Sequence, residues 1–341
     1  MFKWKSAARL AAAASLVALT ACSDDGSNGN GPEISSSVEQ SSSSQVEQTE
    51  VLQGVIDKDM TLSADTQYEL DGFVFVAAGA TLTIEPGTKI VAEGKSALIV
   101  RPGAKIMSEG TKAKPIVFTS KKSSPVTGDW AGVVVMGKAP VSTADNTLPF
   151  EAEESEVFGG NKADDNSGII KYTRIEYAGW EVAADKELNG LTLGGVGSGT
   201  TLSYVQIHEG KDDGIEWFGG TVDCQNLIVW GQGDDAFDID QSYDGTITNF
   251  MAICTADSDH ALEIDGGEGT MNNPFRMEYG TLYSPDTAQV HLRDGAKGYI
   301  SIAGIFNVES DAGTDVVVDS LVIGVDEMIF DWTYSYSKGA Y

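Results

Sequence analysis

Four short segments in the second half of the chain share one alternation of apolar and polar residues. They are 213–217, 235–239, 260–264 and 288–292. In each segment apolar residues flank one polar residue, and these polar residues are Glu216, Asp238, Glu263 and His291 in turn. They follow one another at intervals of 22, 25 and 28 residues, and a weaker copy at 189–193 lies 24 residues upstream of the first segment. Strand-like alternation repeated at this period predicts the stacked coils of a solenoid.

The first half of the chain carries a shorter repeat of the same kind. Segments 82–90 and 98–106 match at a shift of 16 residues, and a Pro-Gly turn recurs at 86–87 and 102–103. Short alternating runs separated by glycine indicate strands and turns rather than helices. We therefore predict an all-β fold, a right-handed parallel β-helix, formed as a single domain by residues 51–341. A β-sandwich is the alternative, but its strands would not repeat one side-chain pattern in register so many times.

Two parts of this domain depart from the repeat. Segment 141–168 contains an acidic stretch at 151–156, and we predict a long loop that projects from the solenoid. Near the C-terminus aromatic residues alternate with polar ones over 330–336. This pattern favours a final strand that caps the open end of the solenoid. The alternative is a platform on which sugar rings stack.

Stacking of the coils would bring the repeated carboxylates together. Glu216, Asp238 and Glu263, here called the acidic column, would lie about 4.8 Å apart on neighbouring strands. Two residues further along each coil, Asp240, Asp265 and Arg293 form a second column. Like charges at this spacing destabilise the fold unless a cation, a proton or hydrogen bonds compensate. The columns are therefore the predicted functional surface.

The oxygen-rich composition of these columns suits Ca²⁺, which takes six to eight oxygen ligands. The turn before each strand adds further aspartates. The candidate metal ligands are Asp213, Glu216, Asp235, Asp238, Asp240, Glu263 and Asp265. The alternative is a solvated acidic face whose charges are screened by salt.

An enzymatic function is a second possibility. Carboxylates about 5 Å apart suit retaining glycosidases, and more widely spaced pairs suit inverting ones. The catalytic candidates are Glu216, Asp238, Glu263 and Arg293. A lyase would need a cationic base beside Ca²⁺, for which Arg293, Lys211 and His291 are the nearest candidates. Of the motifs expected in pectin hydrolases of this fold, only Asp-Asp occurs, at 212–213 and 234–235.

The histidines, cysteines and tryptophans support no further site. His208, His260 and His291 occupy different positions in their repeats, so we do not expect them to form a three-histidine metal site. Cys224 and Cys254 also fall in different columns, which favours two unpaired buried residues.

Trp130, Trp217 and Trp230 are flanked by strand residues and are expected to pack in the core or at its edge. Trp180, in a Gly-Trp-Glu segment, is expected to be exposed.

The N-terminus indicates export and lipidation. Basic residues precede a short apolar stretch at 10–21, as in a signal peptide, and the segment ending at Cys22 resembles a bacterial lipobox. We therefore predict a signal peptide over 1–21, a lipidated Cys22 and a flexible Ser-rich tether over 22–50. These features predict a protein anchored by lipid to the outer membrane, facing either the periplasm or the exterior.

Charge limits the partners of the domain. The chain carries a net charge of −29, and removal of the signal peptide would leave 19 basic and 51 acidic residues, or −32. Such a charge disfavours nucleic acid and anionic membranes, and it keeps the domain soluble, so we expect a monomer. It also disfavours uronic-acid polymers unless a divalent cation bridges the contact.

Several phrases of the domain resemble uncharacterised surface lipoproteins of Gram-negative bacteria of the Bacteroidetes and Fibrobacteres kind. These phrases are 79–88, 128–133, 189–200, 216–222 and 234–240. The resemblance implies a parallel β-helix at the cell surface and assigns no catalytic residue. We expect a surface protein that binds a glycan or a partner, with Ca²⁺ supporting its acidic face. A polysaccharide lyase or glycoside hydrolase, and a structural envelope protein, are the alternatives.

Overall fold

The structure is a computed structural model that describes residues 49–183, 186 and 188–321. These residues form 24 β-strands and no α-helix. The strands are β1 (Thr49–Ile56), β2 (Met60–Leu62), β3 (Gln67–Val76), β4 (Thr81–Ile84), β5 (Lys89–Ala92), β6 (Gly94–Val100), β7 (Lys105–Glu109), β8 (Ile116–Ser120), β9 (Trp130–Met136), β10 (Thr147–Phe150), β11 (Glu153–Gly159), β12 (Gly168–Glu176), β13 (Leu191–Gly194), β14 (Thr201–His208), β15 (Ile215–Phe218), β16 (Cys224–Trp230), β17 (Phe237–Asp240), β18 (Thr246–Ile253), β19 (Leu262–Ile264), β20 (Phe275–Tyr283), β21 (Ala288–Leu292), β22 (Lys297–Gly304), β23 (Phe306–Ser310) and β24 (Asp315–Ser320). The signal peptide, Cys22, most of the tether and the aromatic segment 330–336 lie outside the described residues. Within the described part of the chain, no helix is long and apolar enough to cross a membrane.

The strands confirm the predicted parallel β-helix. Twenty-two of them form one continuous parallel sheet, in which each strand except those at the two ends pairs with strands of the coils before and after it. In the second half of the chain, for example, β15 pairs with β13 and β17, while β14 pairs with β12 and β16. The chain therefore returns to the same face after each coil.

Apolar side chains from every coil fill the interior. Trp217 and Phe237, on neighbouring coils, are fully buried with ring centroids 6.3 Å apart, and Phe237 meets Phe250 at 5.4 Å. Trp130 is likewise buried, whereas Trp180 is 38 % exposed, as the sequence predicted. Cys224 and Cys254 are buried and unpaired, which confirms the prediction from their positions in the repeat.

Strands β12, β14, β16, β18 and β20 each turn at one residue in the left-handed backbone region, and these residues stack. Tyr172, Tyr204, Asn226, Asn249 and Tyr279 occupy equivalent positions of successive coils, with φ between 48° and 60°. Asn249 Nδ2 donates to Asn226 Oδ1 at 2.6 Å, and the rings of Tyr172 and Tyr204 stack at 4.5 Å. Asparagine tolerates this conformation because its short polar side chain can hydrogen-bond locally. These residues, here called the turn ladder, add side-chain contacts between coils that the backbone pairing holds in register.

The prediction that 141–168 projects from the solenoid is wrong. Strands β10 and β11 form an antiparallel hairpin whose buried Phe150 and Phe158 pack on the outside of the sheet. Phe158 lies so close to Gly194 that a Cβ there would come within 2.8 Å of the ring. The outward residues beneath the hairpin, including Ile99 and Val134, are apolar and need this cover.

We expect Asn249→Val to destabilise the protein more than Asn249→Gly does. Valine loses the side-chain bond, worth about 1 kcal/mol, and adds a strain of roughly 1–2 kcal/mol at positive φ. Glycine loses only the bond. The free energy of unfolding in urea measures the difference, and equal losses for the two variants would contradict the role given to the backbone conformation.

Candidate functional site

The register of the parallel strands aligns the repeated polar residues. Thr192 of β13 pairs with Glu216 of β15, Glu216 with Asp238 of β17, Asp238 with Glu263 of β19, and Glu263 with His291 of β21. All face outward between buried apolar neighbours. The structure therefore brings together the acidic column inferred from the repeat. We call this surface, from Thr192 to His291, the acidic face.

The β10–β11 hairpin borders the acidic face at its N-terminal end. In the preceding coils the outward positions are Ile99 and Val134, which the hairpin covers. Glu151, at the turn of the hairpin, adds negative charge near Glu216. The outward positions thus change from apolar to polar at Thr192, which is itself buried, and become partly exposed from Glu216 onward.

Three carboxyl groups meet at the start of the acidic face. One oxygen from each of Asp213, Glu216 and Asp238 lies within 4.8 Å of the other two. Asp213 accepts a hydrogen bond from the backbone N–H of Asp235 at 3.0 Å, and Glu216 accepts one from the Asn189 side-chain amide. Asp238 Oδ1 is shielded from solvent and has no hydrogen-bond partner within the described residues. We call these three residues the carboxyl cluster.

Burial dominates the electrostatics of the carboxyl cluster. It raises the pKa of Asp213, Glu216 and Asp238 well above the ordinary value of each group, because the charged form loses its hydration. Repulsion from neighbouring carboxylates raises each pKa further; for Asp238 the main neighbours are Glu216 and Asp235. Both effects favour the protonated form of the cluster, and a bound cation would offset them.

The second column is only partly neutralised. The backbone N–H groups of Asp265 and Arg293 donate to the preceding coil at 2.7 and 2.8 Å, so these residues stack after Asp240. Arg293 pairs with Glu263, and its Nε lies 3.4 Å from Asp265 Oδ1. Burial and the nearby Asp240 raise the pKa of Asp265 to about 7. Asp240 and Asp265 line an open pocket of about 850 Å³. Its other lining residues are Gly266, Gly267, Glu268, Asp294, Gly295, Asp311 and Ala312.

His260 lies at the acidic face, although the sequence did not predict a histidine at this position. The backbone N–H of His260 donates to Asp235 Oδ1 at 2.7 Å, and its Nδ1 lies 2.9 Å from the same oxygen. His260 Nδ1 is 3.4 Å from Glu263 Oε2, and its ring centroid is 5.1 Å from that of His291. His260 was discounted because it does not align with His291. The sequence does place His260 three residues before Glu263 and His291 opposite Glu263, and this spacing could have predicted that the three side chains meet.

The remaining candidates lie elsewhere. His208 Nε2 is 3.2 Å from Glu176, and its ring stacks on Trp230, which lies on an outer face rather than in the core. Lys211, a candidate base, lies in the turn before β15 with its Nζ 3.8 Å from Glu181. Within the described residues, the groups of possible metal ligands include no set of three histidines.

The fold and this surface define a parallel β-helix protein with a column of outward carboxylates. A family model described as a pectate-lyase-like beta helix domain matches residues 54–331. The chain therefore belongs to the pectate-lyase-like β-helix family. No curated protein and no solved structure matches the chain.

In the presence of a chelator, we expect the stability of the protein to fall as pH rises above about 4. The unfolded Asp238 ionises near its ordinary pKa of about 3.9. The folded Asp238 ionises only at its raised pKa. Its contribution to the free energy of unfolding is therefore complete below the pKa of the unfolded state and is lost as pH rises to the pKa of the folded state. Asp238→Asn should flatten this decline, by about 1.4 kcal/mol for each unit of pKa difference.

Thermal melts between pH 4 and pH 8 measure this effect. Asp286→Asn, in an exposed loop, serves as the control and should keep the wild-type slope. An Asp238→Asn variant whose stability depends on pH as the wild type does would show that Asp238 is ionised without penalty.

Proposed function

We propose that this protein is a lipid-anchored protein of the outer membrane whose acidic face binds a glycan or a protein partner with the help of Ca²⁺. The observation that carries the proposal is the carboxyl cluster, in which buried Asp213 meets half-buried Glu216 and Asp238, and Asp238 Oδ1 has no partner in the described chain. An unpaired buried carboxylate oxygen is costly, and a bound cation would remove this cost.

The donor set of the carboxyl cluster fits Ca²⁺ better than a softer metal. Asp213, Glu216 and Asp238 offer only oxygen atoms, which hard cations prefer. Asp212 and Asp234 add a second group of oxygen donors beside Asp213. Three carboxylates leave part of the coordination shell of six to eight oxygens open. Hydroxyl or carboxylate oxygens of a glycan are suitable ligands for those positions.

The charge of the chain supports a role for the cation in binding. The chain carries a net charge of −29, so it repels acidic polymers unless a divalent cation lies between them. A lipid on Cys22 and a tether over 22–50 would hold the β-helix at the membrane with the acidic face free to meet such a partner. Cys22 lies outside the described residues, so the anchor rests on the sequence pattern alone.

We expect Ca²⁺ to raise the melting temperature of the wild-type protein, and Asp238→Ala to abolish the increase. A ligand that binds only the folded state stabilises it by about 2.7 kcal/mol when its free concentration is about 100 times its dissociation constant. Asp286→Asn should keep the full effect. Identical melts of the wild type with Ca²⁺ and with chelator would reject the proposal.

Polysaccharide cleavage is the second candidate function. The chain belongs to a pectate-lyase-like family, and Glu216 and Asp238 are direct neighbours in the register, as are Asp238 and Glu263. Neighbouring strands place such pairs near the separation of about 5 Å used by retaining glycosidases, and Glu216 and Glu263, two strands apart, approach the inverting spacing. Arg293 is paired with Glu263, which makes it less available as the base of a lyase.

A panel of plant, algal and bacterial polysaccharides separates the two functions. Under the binding proposal, we expect the purified protein to retain some members of the panel in the presence of Ca²⁺ without cleaving them. New reducing ends that disappear in Glu216→Gln would establish a hydrolase instead. Unsaturated products that require Ca²⁺ would establish a lyase.

A further inference from the structure

We propose that His260, Glu263 and His291 form a binding site for a first-row transition metal ion, for which Zn²⁺ is the probe. The site lies on the acidic face, at the end opposite to the β10–β11 hairpin. It shares no residue with the carboxyl cluster, and its donors are of a different kind.

The β-helix brings the three side chains together from two coils. His291 lies directly opposite Glu263 in the register of β19 and β21, and His260 precedes Glu263 by three residues. One nitrogen of each histidine and one oxygen of Glu263 all lie within 4.8 Å of one another. Small rotations of the side chains are enough to bring three such donors around one ion.

The separation of two donors in the structure fits a tetrahedral ion. His260 Nδ1 and Glu263 Oε2 are 3.4 Å apart. Ligands at the Zn²⁺ bond lengths of about 2.0–2.1 Å lie about 3.3 Å from each other around a tetrahedron. Two imidazoles and one carboxylate form a ligand set used by catalytic zinc sites, with the fourth position left for water. Imidazole nitrogen favours Zn²⁺, Ni²⁺ or Cu²⁺ over Ca²⁺, which requires oxygen.

Neighbouring residues hold two of the proposed ligands in place. Asp235 Oδ1 accepts a hydrogen bond from the backbone N–H of His260 at 2.7 Å, which holds the backbone of that residue in place. The same oxygen lies 2.9 Å from Nδ1, so metal binding through Nδ1 requires this nitrogen to give up its contact with Asp235. Arg293 pairs with Oε1 of Glu263 and leaves Oε2 facing His260. Such outer contacts orient the ligands of metal sites. The side chains of His260 and Glu263 remain 18 % and 13 % exposed, so an ion can enter from solvent.

A purely structural role is the competing explanation for these contacts. A protonated His260 between Asp235 and Glu263 would stabilise the two carboxylates without any metal. That role does not require His291, and it provides no selectivity for Zn²⁺ over Ca²⁺. The experiment therefore depends on His291 and on the identity of the ion.

Titration calorimetry of untagged protein with Zn²⁺, at pH 7.5 and in excess Ca²⁺, tests the proposal. We expect one high-affinity Zn²⁺ per chain. Asp235→Asn should weaken Zn²⁺ binding by about 10- to 100-fold, the loss typical of substitutions outside the ligand shell. His260→Gln and His291→Gln should each weaken it by more than that. His208→Gln is the matched control, since His208 lies on another face, and it should bind as the wild type does.

The visible absorption spectrum of the Co²⁺ complex provides a measurement that needs no variant. We expect the intense bands of a four- or five-coordinate ion with nitrogen ligands, which added Zn²⁺ removes. Absence of saturable Zn²⁺ binding, a weak six-coordinate spectrum, or wild-type affinity in a folded His291→Gln would each overturn the proposal. If a variant fails to fold by circular dichroism, the wild-type spectrum decides alone.

The two metal proposals are separable. Asp213→Asn should weaken the Ca²⁺ effect on the melting temperature and leave Zn²⁺ affinity unchanged, whereas His291→Gln should do the reverse. Loss of both effects in Asp213→Asn would indicate a single shared site and would contradict the assignment to His260, Glu263 and His291.

Discussion

The parallel register of successive coils is the constraint on which the rest of this structure depends. Backbone hydrogen bonds hold equivalent residues of neighbouring strands about 4.8 Å apart. A residue type that recurs in the repeat is therefore forced into a column, whatever its charge. In the interior this stacks Phe237 between Ile215 and Leu262, and at the bend of the longer strands it produces the ladder that includes Asn226 and Asn249. On the outer face the same rule stacks carboxylates.

The acidic face resolves this crowding differently along its length. At the C-terminal end, Arg293 pairs with Glu263, and His260 lies between Asp235 and Glu263. At the N-terminal end, the carboxyl cluster is held by an amide side chain and a backbone N–H. Asparagine and backbone donors satisfy hydrogen bonds but supply no charge. Burial, together with this lack of a compensating charge, raises the pKa values of Asp213, Glu216 and Asp238 well above their ordinary range.

The apolar coils that precede the acidic face have the opposite requirement. Ile99 and Val134 point away from the interior, and water would surround them in a bare solenoid. The hairpin of β10 and β11 covers them with Phe150 and Phe158 and ends beside Glu216. The hairpin therefore covers the apolar outer surface of the early coils and borders the acidic face that follows.

The sequence by itself determined the fold, because a period-two alternation repeated every 22 to 28 residues is typical of the stacked coils of a solenoid. It also determined the acidic column, because aligning the repeats gives the register of the strands. It also identified Cys224 and Cys254 as unpaired, since they fell in different columns. Only the tertiary structure decided what surrounds the column. His260 lies outside the aligned positions, and its approach to Glu263 and His291 depends on the path of the turn before β19. The hairpin was likewise invisible, because its partners are outward residues far away in the chain. Repetition fixes contacts between equivalent positions, whereas contacts made by turns and insertions depend on three-dimensional paths that no repeat encodes.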